Sequence, residues 1–291
     1  MKQYLERFFK DFEYPKEDAE FLLKAYDTVV SSDTANGLLE SIIKMYEENE
    51  LCDFTKILEL SQQIANATDI HPYTTDLLVT CCLTKHAWEI YEKRGLDYNL
   101  FRDTMLDFRY KLEECKAVKG ICGTFVAWWF DLFFQLKRFC FGRLQFEVIK
   151  FEHNYEKDGI VYTPDSLVLN THIPRTGTPM DMDSCREAYE RAKEFFEDEL
   201  GEHPAAVCES WLLFPEHPNF LPAKSNILKF MAEYDIIDSG YNRSESELWR
   251  LFDTEEKNPN RLPTDSSLRR AYVDYLKANK RTGWGFGIKL L

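Results

Sequence analysis

Three polar side chains occupy alternate positions in the segment CFGRLQFEVIKF, residues 140–151: Arg143, Gln145 and Glu147. Leu144, Phe146 and Val148 lie between them, so a strand here would place the polar residues on one face and the apolar ones on the other. Asn170 and His172 repeat the pattern in LVLNTHIP, residues 167–174, and Ser210 follows Glu209 in VCESWLLF, residues 207–214. Buried polar groups cost free energy unless they are paired, so polar rows on otherwise apolar strands point to a cleft or to a satisfied network. Glu147 and His172 are the titratable members. A carboxylate and an imidazole on central strands can take a proton from a nucleophile.

Other chemistries leave no trace. No GxSxG elbow, HExxH or GxxxxGK[ST] loop occurs. The six histidines have no paired ligand spacing, so no metal is expected. Gly283-Trp284-Gly285-Phe286-Gly287 ends the chain with no helix after it, which excludes a dinucleotide fold and indicates a terminal strand under close backbone contact.

The elements that must carry these residues fall into two textures. Residues 1–120 are helix after helix: Phe21, Leu22, Ala25, Tyr26 and Val29 keep three-and-four spacing, as do Leu38, Ile42 and Tyr46. No repeat period links the helices. The spacing predicts a buried helix over 121–137. After it the period changes to two, giving strands at 140–151, 160–162, 167–174, 207–214, 234–239, 248–252 and 283–291. Helices are expected from Thr178-Pro179 to 200, near 219–232 and over 265–278. The expected fold is α+β, with an all-helical domain at 1–120 and a mixed-sheet domain at 121–291.

Fifty acidic against 36 basic residues give a net charge of −14, with 15 basic and 23 acidic before residue 120, 21 and 27 after. Neither part has the basic face that nucleic acid or an anionic membrane demands. The most apolar run, Ile121 to Leu136, is interrupted by Asp131 and too short to span a bilayer. The opening MKQYLERFFKDFEYPK has no apolar core of a signal peptide. Eight cysteines without a CxxC pair are expected to be reduced, buried thiols of a cytoplasmic protein.

The order strand (LVLNTHIP), loop (RTGTP), long helix, strand (CESWLLF), loop, helix (SNILKFM) and strand resembles the core of the GNAT acyltransferases. GRLQFE (142–147), HIP (172–174), ESWLLFP (209–215), LPAKSNI (221–227) and LPTDSSLRRA (262–271) are similar, in order, to a two-domain family. That family joins a helical N-acyltransferase N-terminal domain to a GNAT-like C-terminal domain. The resemblance implies transfer of an acyl group from acetyl-CoA or another acyl-CoA to an amine of a small molecule or peptide. It implies that the backbone around Thr171 and Ile173 pairs with the pantetheine arm. Arg175, Thr176 and Gly177 would form the phosphate loop, which departs from the family's Q/R-x-x-G-x-G/A pattern and has Pro174 and Pro179 at its ends. Glu147 and His172 become base candidates, with Ser210, Arg143, Gln145 and Asn226 placing the acceptor. The family's usual acid is a tyrosine, for which the last helix of that core offers only Tyr234. The alternative is a degenerate fold of this family used as a non-catalytic binding module. An open splay between LVLNTHIP and CESWLLF distinguishes the enzyme from the module.

Overall fold

The computed structural model describes residues 1–49, 53–243 and 248–291, so Cys52 lies outside the described residues. It divides into two compact units, Met1–Phe139 and Cys140–Leu291. The first holds α1 (Lys2–Asp11), α2 (Lys16–Val30), α3 (Asp33–Glu48), α4 (Phe54–Thr68), α5 (Pro72–Lys93) and α6 (Tyr98–Lys119). Side-chain caps set four of the starts, α5 through His71, whose Nδ1 accepts from the Tyr73 amide at 3.1 Å. Ser32 accepts from the Ala35 amide, Asp53 from that of Thr55, and Asp97 from those of Asn99 and Leu100. Gly120 ends α6 with φ of 70°, a left-handed conformation that glycine adopts without strain. α5 is central: it touches α1, α2, α3, α4 and α6, and buries Leu77, Leu78, Cys81, Cys82 and Leu83.

The helix expected over 121–137 is instead a 3₁₀ turn, Ala127–Phe130, followed by one α-turn, α7 (Asp131–Phe134). Thr124 donates its amide to the Tyr73 carbonyl at 2.9 Å, and a Cβ on Gly123 would lie 2.4 Å from the Tyr73 backbone. That close tether leaves no room for a continuous helix from residue 121. The aromatic residues still find a core. Phe130 stacks on Phe108 at 3.9 Å, and Phe134 meets Tyr46 and Phe54 at 5.3 and 5.7 Å. The change of texture at residue 120 therefore coincides with the end of α6, whereas the two units divide at Phe139 and Cys140.

The second unit carries a six-stranded sheet. Its elements are β1 (Arg138–Phe141), β2 (Leu144–Lys150), β3 (Tyr155–Lys157), β4 (Ile160–Tyr162), β5 (Leu167–His172), α8 (Met182–Phe195), α9 (Glu197–Leu200) and β6 (Ala205–Ser210). They continue with α10 (Asn226–Met231), β7 (Asp235–Tyr241), α11 (Trp249–Phe252), α12 (Ser267–Lys277) and β8 (Gly283–Leu290). Sheet order is β1-β2-β5-β6-β8-β7, with β3 and β4 as a separate hairpin. β5 and β6 are parallel; β2–β5, β6–β8 and β7–β8 are antiparallel.

Three local expectations are corrected. The strand at 140–151 is two strands, because Gly142 turns the chain at φ of 68°; Arg143 is consequently in the turn, off the face it was expected to share. The strand at 207–214 stops at Ser210, where the serine hydroxyl accepts from the Leu212 amide and starts a 3₁₀ turn. Residues 249–252 are helical, not extended. The two faces of the sheet have different covers. Phe146 and Thr171 face α8, where Phe146 meets Tyr189 at 5.2 Å. On the other face Val168, Ala205, Val207 and Ile288 pack with Phe151 and Tyr162 beneath the β3–β4 hairpin.

β8 runs at the close approach its glycines announce. A Cβ on Gly285 would lie 2.2 Å from the Leu213 carbonyl oxygen, and one on Gly283 2.4 Å from that of Gly240. Gly285→Ala is expected to cost about 1–3 kcal/mol in overpacking. Gly37→Ala in α3, which meets nothing within 4 Å, is expected to stabilise by about 0.5–1 kcal/mol. Urea midpoints of both variants check the pair, and equal midpoints would refute the contact.

Candidate active site

Pairing of β2 with β5 sets Gln145 opposite His172 and Glu147 opposite Asn170. Partners in an antiparallel pair share a face, so these four polar residues stand together on the face away from α8. Glu147 Oε1 accepts from Asn170 Nδ2 at 3.0 Å and lies 3.1 Å from His172 Nε2. Asn170 Nδ2 also lies 3.2 Å from His172 Nε2. With Glu147 as a carboxylate, which only accepts, the tautomer carrying hydrogen on Nε2 gives it to Oε1 and leaves the Asn170 amide to the carboxylate. Glu147 is 7% exposed, and the His172 side chain is less deeply buried. The result is a carboxylate–imidazole pair braced by an amide. Gln145 is 1% exposed, and its Nε2 has no hydrogen-bond partner among the described residues.

Beyond this row the sheet opens. The parallel ladder of β5 with β6 consists of Leu169 with Ala206 and Asn170 with Val207. β5 continues along β2 to His172, and β6 continues along β8 to Ser210. The edges of Thr171 and His172 on one strand and Cys208 to Ser210 on the other therefore diverge beside the Glu147–His172 pair. Trp211 and Phe214, which could have plugged such a gap, pack with His217 and with Tyr272 and Tyr275 respectively.

The remaining expected residues are distributed around this core. Arg143 donates from Nη1 to the Pro174 carbonyl at 3.0 Å, tying the β1–β2 turn to the end of β5. Thr171 points to the α8 side, where Tyr189 donates to its hydroxyl at 3.5 Å. Tyr189 also bonds the hydroxyl of Tyr234, and burial raises both phenols above their usual range. Ser210 is engaged as a cap. Asn226 opens α10, whose Phe230 packs on Tyr234, so this helix belongs to the α8 side rather than to the Glu147 row.

Ile173 follows β5 into the loop of Arg175, Thr176 and Gly177. There the Thr176 amide turns back to the Pro174 carbonyl, its hydroxyl meets that of Thr178 at 2.8 Å, and Gly177 takes φ of 77°. Arg175 pairs with Asp253 at 2.7 Å, and Arg269 reaches the same carboxylate oxygen. The expected cap at Thr178 and Pro179 is replaced by Asp181, whose carboxylate accepts from Ser184; those bonds hold its pKa below the usual aspartate value. Among the residues outside the expected set, Asn170 was visible as a neighbour of His172 in the alternation. Tyr189 was visible only as part of an apolar helix stripe, and nothing in the sequence tied Asp253 to Arg175.

A mixed sheet whose two central parallel strands part beside a polar row, with a long helix on the opposite face, is the architecture of the GNAT-like acyltransferases. Residues 139–289 match the GNAT-like C-terminal domain, and residues 3–136 match the N-acyltransferase N-terminal domain. The chain belongs to the two-domain N-acyltransferase family that joins them. No curated protein matches it by sequence. Among solved structures it is similar to an acyltransferase in complex with decanoyl-CoA and teicoplanin, and to one in complex with CoA and 10C-teicoplanin. Each has a TM-score of 0.73 and 20% identity, covering 98% of this chain and 87% of that chain. An acyltransferase in complex with decanoyl-CoA has the same TM-score, with 21% identity and coverage of 98% and 86%. These likenesses show the fold. No helix among the described residues is long and apolar enough to cross a membrane.

Proposed function

We propose that this chain is an acyl-CoA-dependent N-acyltransferase acting on an amine of a small molecule or peptide. The observation that carries the proposal is the parting of β5 from β6 after Asn170, directly beside the Glu147–His172 pair. An opened strand edge offers backbone donors and acceptors that the amides of a pantetheine arm can complete, as an added strand would. In this reading Arg175 and the loop after β5 meet the pyrophosphate, with Asp253 restraining the guanidinium. When bound, acyl-CoA supplies the thioester carbonyl carbon that the amine attacks and the sulfur that leaves.

His172 takes the proton released as the amine nitrogen bonds to that carbon, at Nδ1, its Nε2 being directed to Glu147 Oε1. Glu147 stabilises the imidazolium, and Asn170 fixes the carboxylate. The carbon–sulfur bond breaks, and the same proton returns to the departing thiolate, giving an amide and a free thiol. Tyr234, locked to Tyr189 on the opposite side of β5, is kept protonated by its burial. The solved relatives with decanoyl-CoA and octanoyl-CoA support acyl donors longer than acetyl. The free thiols of Cys81, Cys82, Cys115, Cys122, Cys140, Cys185 and Cys208 suit a reducing, cytoplasmic compartment.

Titration calorimetry with acetyl-, octanoyl- and decanoyl-CoA tests the donor, with binding below about 1 mM expected for at least one. Absence of heat from all three would leave the binding-module reading. Thiol release from the donor that binds, across a panel of primary amines, then identifies the acceptor class.

A further inference from the structure

Gln145 is buried at 1% exposure with its Nε2 unpaired among the described residues, a costly state for an amide. Register places it directly opposite His172 on the face of Glu147 and Asn170, the polar row beside the opened ladder. Opposed residues of an antiparallel pair hold their Cβ atoms about 4.5–5.5 Å apart. The attacking nitrogen and the carbonyl oxygen are both bound to the same carbon. A group that removes the proton and a group that receives charge on oxygen must therefore stand side by side, as His172 and Gln145 do.

We infer that the Gln145 side-chain amide is a hydrogen-bond donor to the thioester carbonyl oxygen of the bound acyl donor. The inference rests on the acyl-CoA reading above. A buried amide without a protein acceptor before the donor arrives strengthens its bond as negative charge builds on that oxygen. The unpaired Nε2 is then a binding group awaiting its acceptor, and its cost in the free protein is recovered on the donor.

The test uses the full chain and octanoyl-CoA labelled with ¹³C at the carbonyl. In the wild type, the difference infrared band of that carbonyl is expected below its position in free octanoyl-CoA. In Gln145→Met, which keeps the side-chain volume, the shift is lost and octanoyl-CoA binds about 2–10-fold more weakly, the worth of one hydrogen bond. The thermal midpoint stays level or rises by a few degrees, because an unpaired buried amide has been removed. Gln145→His, which keeps an N–H, recovers part of the shift. An identical band in the wild type and Gln145→Met overturns the inference. So does a marked fall of the midpoint in Gln145→Met, which would make the amide part of the packing. Failure of the wild type to bind octanoyl-CoA while acetyl- or decanoyl-CoA binds moves the same measurement to that donor. Failure with all three sinks the acyl-CoA reading itself, and the inference with it.

Discussion

His172→Ala lowers the rate of thiol release in the presence of an amine by about 10²–10⁴-fold, the usual worth of a positioned general base. Glu147→Gln acts in the same direction, because a neutral amide no longer compensates an imidazolium at Nε2. It keeps the volume of the carboxylate within a buried row, so the thermal midpoint remains near that of the wild type. The two residues work as one unit through the 3.1 Å contact between Oε1 and Nε2. The double variant is therefore expected to be no slower than His172→Ala alone, a non-additivity that two independent residues would not show. KM for the acyl donor stays constant in both, since the pair meets the reacting nitrogen rather than the pantetheine. Steady-state kinetics with matched thermal melts decides the matter. Wild-type turnover in His172→Ala would remove the base from this position, and unfolding of both variants would make the row a structural network.

Much of this pair was legible in the alternation of apolar and polar residues, because a period of two fixes which side chains share a face whatever the strand's neighbours are. Alternation alone aligned Glu147 with Gln145 and Asn170 with His172, but it carries no register. Only the pairing of β2 with β5 brings Gln145 across from His172. Arg143 was misplaced for a local reason. One glycine at φ of 68° ends the strand two residues before Leu144 and converts an uninterrupted pattern into a hairpin. The helices of the first unit were plain because all but the centrally buried α5 carry an amphipathic stripe and most have a capping residue. The segment 121–137 deceived for the opposite reason: it is apolar on every side, so length and composition fitted a helix while the tether to Tyr73 prevents one. The partnership of Arg175, Asp253 and Arg269 joins residues 78 and 16 apart in sequence. Charges alone do not announce such contacts.

His217 makes the second unit sensitive to acid. Its side chain is completely buried beside the 3₁₀ turn that closes β6, ringed by Trp211, Phe214, Phe220 and Tyr272, and its Nε2 bonds the Tyr272 hydroxyl. Burial lowers its pKa from 6.5 to about 4, against a weaker opposing pull from the Leu212 backbone. A base with a lowered pKa stays neutral in the folded protein while the unfolded chain takes up the proton. Stability is therefore unaffected above about pH 6.5 and falls as pH drops from there to about 4, where the loss levels off. At about 1.4 kcal/mol per pH unit, the window amounts to a loss on the order of 3 kcal/mol. His217→Gln retains a hydrogen-bonding group for Tyr272 and does not titrate. Between pH 7.5 and 4.5 its unfolding free energy from urea melts should fall less than that of the wild type, by on the order of 2–3 kcal/mol, and parallel profiles for the two proteins would refute the assignment. Because the Ser210 cap and the 3₁₀ turn separate His217 from the open end of β6 by only a few residues, acid loosening here reaches the strand that forms one wall of the splay. Acyl-donor binding is accordingly expected to weaken over the same pH window in the wild type and to be less affected in His217→Gln.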